Sequence, residues 1–91
     1  MRVRWLVGAL AALVDAHDYI APDNPGAAAN MVRRIQQMTG YLADHPQMGR
    51  PGPKPGTREL MVAGTPYFVV YKVMETEVVI VRLIHTARLY P

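Results

Sequence analysis

The stretch TRELMVAGTPYFVVYKVMETEVVIVRLI, residues 57–84, carries most of the information about the fold. Runs rich in β-branched and aromatic residues cover 57–62, 66–73 and 78–84, and only short polar or glycine-containing gaps separate them. Alternation with a period of two, interrupted by gaps this short, is typical of strands joined as hairpins. The sequence therefore predicts three consecutive antiparallel strands.

Two helices are predicted upstream of these strands. The first ends near Pro22, because the residue before a proline is disfavoured in the α region. The second begins at Asn24 and Pro25, a capping side chain followed by a residue suited to the first turn, and it ends by Pro46. The stripes at helical spacing that should face the core are Leu6, Leu10, Leu13, His17 and Ile20, then Ala28, Met31, Ile35, Met38 and Leu42.

The chain opens with a short β-favouring segment from Val3 to Trp5, which predicts a strand before the first helix. We therefore expect an α+β fold in the order β-α-α-β-β-β, with an N-terminal strand and an αα-hairpin packed on an antiparallel β-sheet. Residues 49–56, rich in glycine and proline, are expected to form an exposed loop. Ninety-one residues predict a single domain, 1–91.

Composition excludes several kinds of chemistry. The chain has no cysteine, so disulfides and thiolate sites are excluded. The three histidines, His17, His45 and His85, do not stand at ligand spacing, and no glycine-rich phosphate loop opens a helix. We expect no metal and no cofactor. No apolar run approaches the ~20 residues that span a bilayer, so we expect a cytoplasmic protein without a membrane partner.

The formal net charge of +3 is unevenly distributed. Basic and acidic residues balance up to His45, and the whole excess lies in the second half. A local field of this sign favours phosphate backbones or an acidic protein segment, although a solvated basic face is an alternative for any single residue. The candidate residues for binding such a partner are Arg50, Lys54, Arg58, Lys72, Arg82, His85 and Arg88. In regular strands, Arg58, Lys72 and Arg82 could share one face.

A subset of these residues could also cleave RNA. Arginine forks hold phosphate, and histidine or tyrosine can move a proton. The candidate catalytic residues are Arg58, Arg82, His85 and Tyr90. In the alternative interpretation the arginines pair with acidic groups of a partner and His85 merely ends a strand. A carboxylate to assist catalysis is missing, because Glu59 should lie on the face opposite to Arg58.

An ordered set of short motifs spans nearly the whole chain. The motifs are Trp5, Asp18-Tyr19-Ile20-Ala21, Asp23-Asn24-Pro25, Gly49-Arg50, Gly56-Thr57-Arg58-Glu59-Leu60, Val70-Tyr71-Lys72-Val73, and Val81-Arg82-Leu83-Ile84-His85 with Arg88. In this order they resemble the RelE/ParE superfamily of bacterial type II toxins. The resemblance implies the fold described above. It also implies a co-expressed antitoxin whose C-terminal segment wraps the toxin, neutralises it and forms a hetero-oligomer with it.

Within the superfamily the motifs resemble the ParE branch, whose members are associated with poisoning DNA gyrase and blocking replication. The RelE branch instead cuts messenger RNA in the ribosomal A site, using several lysines and arginines with a C-terminal tyrosine. Here Lys54 has no second lysine near it, whereas Tyr90 keeps the nuclease alternative open. The resemblance therefore favours a gyrase inhibitor without bond-breaking activity. The alternatives are a ribosome-dependent mRNA endoribonuclease and an inactive toxin that serves only as the antitoxin's partner.

Overall fold

The computed structural model describes residues 1–89, and only the backbone of residues 88 and 89. The elements are β1 (Arg2–Trp5), α1 (Val7–Ile20), α2 (Pro25–Gly40), β2 (Arg50–Pro51), β3 (Thr57–Met61), β4 (Tyr67–Val73) and β5 (Glu77–His85), with 3₁₀ turns at Tyr41–Ala43 and Thr86–Leu89. The predicted order of a strand, two helices and three strands is confirmed. The two-residue strand β2 is an addition, because it lies inside the segment predicted to be a loop.

The five strands form one mixed sheet in the order β1-β5-β4-β3-β2. Strands β3, β4 and β5 are antiparallel neighbours, as predicted. The unpredicted β2 is antiparallel to β3, and β1 runs parallel to β5. The sheet is therefore mixed, with a first strand whose direction the sequence did not predict. The composition of Val3 to Trp5 favours a strand but does not encode its direction, because direction depends on how the two helices return the chain to the sheet.

A β-bulge interrupts the pairing of β4 with β5. Val70 pairs with Arg82 and the next residue, Tyr71, pairs with Ile80, so Val81 has no partner. Strict alternation would put Arg82 on the same face as Ile80, which is fully buried. The extra residue reverses the alternation and turns Arg82 to the opposite face.

One face of the sheet, called the inner face here, packs against α1 and α2 and forms the core. The core residues of the sheet are Leu60, Val62, Val69, Tyr71, Val78, Ile80 and Leu83, and those contributed by the helical layer are Ala9, Leu13, Ala16, Met31, Ile35 and Leu42. The predicted stripe of α1 is partly wrong, because Leu10 is 50% exposed while Ala9 is 1% exposed. Alanines facing the sheet allow the helix to approach it closely, which leaves larger side chains outside.

Helix α2 begins as predicted. The Asn24 Oδ1 atom accepts a hydrogen bond of 3.0 Å from the Ala27 N–H, and Pro25 occupies the first turn. The helix ends at Gly40, earlier than Pro46, because the chain tightens into the 3₁₀ turn that buries Leu42. Neither helix in residues 1–89 combines the length and apolar content needed to cross a membrane.

Candidate interaction surface

The outer face of the sheet, opposite to the helices, carries a group of cations. Strand register aligns Arg4, Val79 and Lys72 in one row, and Arg82, Val70, Glu59 and Arg50 in a second row. The cations of the outer face are Arg2, Arg4, Arg50, Lys72 and Arg82. The structure thus brings together three of the predicted binding residues, Arg50, Lys72 and Arg82.

Two carboxylates hold some of these cations in ion pairs. Glu77 accepts hydrogen bonds from both Arg2 and Arg4, at 3.2 and 3.0 Å. The hydrogen bond from Arg4, followed by that from Arg2, lowers the pKa of Glu77, and the same carboxylate raises the pKa of Arg4. Glu59 pairs with Arg50 at 3.1 Å.

The other two cations of this face behave differently. Lys72 and Arg82 are exposed, and neither forms an ion pair with another side chain that the structure describes. Their charges are therefore not neutralised by a neighbouring carboxylate. This makes them the best placed side chains of the outer face to engage an anionic partner.

Sequence reasoning missed Arg2 and Arg4. They reach the outer face because Val3 and Trp5, the alternate residues of β1, pack against the core. The charged-apolar alternation of residues 2–5 was a usable signal for this orientation. The parallel pairing of β1 with β5, which places both arginines beside Glu77, was not visible in the sequence.

Arg58 lies on the inner side of the sheet. It pairs with Tyr71, whereas Lys72 pairs with Thr57, so Arg58 and Lys72 point to opposite faces. The hypothesis that Arg58, Lys72 and Arg82 share one face is therefore wrong for Arg58, although Glu59 does lie opposite to it as predicted. The Arg58 Nη1 atom donates a hydrogen bond of 2.6 Å to the Gly49 carbonyl and one of 3.5 Å to the Gln47 carbonyl.

The segment 46–49 is fastened to the sheet by an arrangement we call the loop clamp, formed by Gly49, Arg58 and Tyr71. The buried Tyr71 hydroxyl donates to the Pro46 carbonyl and accepts from the Gly49 N–H, both at 2.8 Å. A Cβ atom at Gly49 would lie 2.6 Å from the Glu59 carbonyl oxygen and 2.7 Å from the Tyr71 hydroxyl. Only glycine fits there, and the guanidinium of Arg58 belongs to this scaffold.

His85 lies at the end of β5, paired with Tyr67, and its ring meets the Tyr67 ring edge-on at 5.1 Å. Its Nδ1 atom accepts a 3.1 Å hydrogen bond from the Ala87 N–H. The two rings line a groove of about 730 Å³ between the sheet and α1, opposite Asp15 and Tyr19. Along β4, Tyr67 and Tyr71 are four residues apart, so the strand rows that hold His85 and the loop clamp are separated by about 13 Å of backbone.

The candidate catalytic residues are not gathered at one point. Arg82 is on the outer face, Arg58 is in the loop clamp, and His85 is at the far end of the sheet. Tyr90 lies outside the described residues. Among the binding candidates, Lys54 lies in the exposed turn before β3, and for Arg88 only the backbone, in the Thr86–Leu89 turn, is described. Arg58, Arg82 and His85 therefore cannot act together on one phosphate in this arrangement.

Comparison with known proteins identifies the family. The model of the ParE toxin of type II toxin–antitoxin systems, parDE, matches residues 3–90. The chain belongs to the ParE toxin family. A solved structure described as the chromosomal ParDE TA system from P. aeruginosa has a TM-score of 0.84 at 26% identity, covering 93% of this chain and 95% of that one. The protein is thus a toxin of a type II toxin–antitoxin system, and the resemblance and fold predicted from the sequence are confirmed.

Two relatives are similar over almost their full lengths. A protein named as a toxin, Y4kP of Sinorhizobium fredii, is 39% identical over 90 residues, which cover 99% of this chain and 93% of the relative. Toxin RelE2 of Caulobacter vibrioides is 40% identical over 88 residues, which cover 97% and 98%. Both names agree with the assignment as a toxin.

Proposed function

We propose that the protein acts in the cytoplasm as a poison of DNA gyrase that blocks replication without breaking bonds itself. The observation that carries this proposal is the match of the ParE toxin model to residues 3–90. The resemblance noted above associates ParE-like toxins with gyrase. A domain of this kind acts by occupying a surface of its target rather than by transforming a substrate.

The geometry supports binding rather than hydrolysis. A general acid or base has to lie within hydrogen-bond reach of the proton it transfers. Arg58 and Arg82 lie on opposite faces, and the Nδ1 atom of His85 is occupied by the Ala87 N–H. In contrast, the outer face presents several cations that a macromolecular partner could engage at once.

We further propose that a cognate antitoxin neutralises the toxin by wrapping its C-terminal segment around it. Binding to the folded toxin would also raise its apparent stability by mass action. Co-expression with a small acidic protein encoded in the adjacent reading frame should suppress toxicity and yield a complex that purifies as one species.

The gyrase assignment is tested with purified toxin and gyrase. The wild type should block supercoiling of relaxed plasmid, and its expression in cells should induce the DNA damage response before protein synthesis falls. The Arg82→Gln variant should lose much of this inhibition while remaining folded. Arg33→Gln is the matched control, because Arg33 is an exposed arginine of α2, on the helical side of the domain. Intact supercoiling together with an early collapse of translation would reject the proposal.

The second candidate is a ribosome-dependent mRNA endoribonuclease, favoured by the name of one relative, Toxin RelE2. Purified toxin, programmed ribosomes and end-labelled message form the direct test. A-site cleavage that disappears in Tyr90→Phe would support this candidate. Message that stays intact at toxin concentrations that inhibit gyrase would eliminate it.

A further inference from the structure

The charge of the chain is concentrated on one side. Among the side chains that the structure describes, the outer face holds five cations, Arg2, Arg4, Arg50, Lys72 and Arg82, and two carboxylates, Glu59 and Glu77. The surplus of three positive charges equals the formal net charge of the whole chain, +3. The other charged residues of the sequence sum to zero, so the surplus among the described side chains lies on this surface.

The form of this surface favours a phosphate backbone over an acidic peptide. The cations lie on four strands, from β1 to β2, a width of about 19 Å at the usual spacing between strands. Between them stand Val70, which is half-buried, and Val79, which is 7% exposed, so the rows that carry the charges offer little apolar surface. Peptide partners obtain most of their affinity from buried apolar anchors, whereas nucleic acid backbones are bound mainly through distributed charge.

We propose that the outer face binds the phosphodiester backbone of duplex DNA, with Lys72 and Arg82 as its principal contacts. Arg2 and Arg4 contribute the rest of the positive field while Glu77 holds them against the sheet. Contacts of this kind fix position and carry no base sequence information. If the toxin poisons gyrase, which is the function proposed above and on which this step depends, the outer face would hold it against the DNA that gyrase carries.

The salt dependence of binding gives the direct test. The full-length toxin is titrated into a fluorescein-labelled duplex of 30 base pairs, and the affinity is measured by fluorescence anisotropy from 50 to 200 mM NaCl. Neutralisation of three phosphates, one for each surplus charge, predicts a slope of log affinity against log salt of about −2.7, which is an affinity loss of about 40-fold over this range. Lys72→Gln and Arg82→Gln should each reduce the magnitude of the slope by about 0.9.

Two controls separate charge from folding. Lys72→Arg and Arg82→Lys keep the charge and should retain the wild-type slope, while circular dichroism verifies that all variants are folded. Arg33→Gln removes one positive charge from α2, on the helical side, and should leave the slope unchanged. An equal loss of binding in Arg33→Gln would overturn the assignment to the outer face.

Further outcomes distinguish DNA from other anionic partners, and DNA binding from gyrase inhibition. Tighter binding to single-stranded RNA of equal length, or binding to a polyglutamate peptide but not to the duplex, would overturn the choice of DNA. Gyrase inhibition without duplex binding would overturn this inference and leave the proposed function intact. Duplex binding with the predicted slope, in a toxin that leaves gyrase active, would support the DNA contact and reject the gyrase function.

Discussion

Arg58 and Arg82 are both arginines of the same sheet, but they lie on opposite faces and make different contacts. On the inner side, the guanidinium of Arg58 donates to the carbonyls of Gly49 and Gln47 and helps hold the loop clamp. On the outer side, Arg82 is exposed and has no described carboxylate partner. Both were candidates for the same site when only their spacing was known. The face on which each arginine lies therefore decides its contacts, and that face depends on strand register and, for Arg82, on the bulge in β5.

Substitution of Gly49 in the loop clamp should reduce the stability of the fold more than any other change considered. Gly49→Ala places a Cβ atom against the Glu59 carbonyl and the Tyr71 ring, and it should lower the free energy of unfolding by about 3 kcal/mol. Gly40→Ala is the matched control, because nothing lies within 4 Å of the added atom at the end of α2. That variant should be neutral or up to about 1 kcal/mol more stable. Urea unfolding followed by circular dichroism measures both, and equal stabilities would contradict the loop clamp.

A smaller loss is expected when the hydroxyl of the loop clamp is removed. Tyr71→Phe leaves the buried Gly49 N–H and the Pro46 carbonyl without their partner, which should cost about 2 kcal/mol of unfolding free energy. Tyr19→Phe, at a side chain that is 85% exposed, should change stability by less than about 0.5 kcal/mol. Both variants are measured by the same urea titration. If both unfold at the same urea concentration as the wild type, the Tyr71 hydroxyl does not stabilise the fold.

Substitution of Arg58 should mainly reduce stability, whereas substitution of Arg82 should mainly reduce toxicity. Arg58→Gln should lose about 1 kcal/mol of stability, because its hydrogen bond to the Gly49 carbonyl is weakened. Arg82→Gln should stay within about 0.5 kcal/mol of the wild type but lose most growth inhibition. Unfolding curves and growth after induction are measured on the same pair of variants. Full toxicity of Arg82→Gln would show that the outer face is not the functional side.

The smallest effect concerns Glu77, one of the two acidic residues of the outer face. Hydrogen bonds from Arg4 and Arg2 lower the pKa of Glu77 in the folded state, so its contribution to stability is present above its ordinary value of 4.5 and is lost as the pH falls below it. Glu77→Gln removes this contribution. The wild type should be the more stable of the two at pH 6, and the difference should shrink towards pH 3 in thermal unfolding. A difference that grows on acidification would contradict this assignment.

Elements and helix starts were predictable, whereas the relations between elements were not. Asn24 and Pro25 marked the start of α2 because capping is local chemistry, and the strands from 57 onward followed from alternation. The direction of β1 and the pairing of β2 depend on contacts distant in sequence, which no local pattern reports.

The candidate surface was predicted only in part, because it too depends on contacts between residues that are distant in sequence. Three of its cations came from charge counting alone, but their common face depended on register. For Arg82 the decisive feature is the bulge at Val81, a single residue that strict alternation does not foresee. For Arg58 it is the pairing with Tyr71, which one shift of register would have reversed. The sequence therefore identified the charged residues, whereas their arrangement on a common face depended on the fold.

The neighbouring positions of β1 and β5 have a consequence for how the toxin is made. Arg2 and Glu77, joined by an ion pair, are separated by 75 residues of sequence. During synthesis the first strand must wait without a partner until translation has reached the last strand of the sheet, and contacts this remote slow folding. The row that joins Arg4 to Lys72 is completed only at that stage. The outer face is therefore complete only after nearly all of the chain has been synthesised.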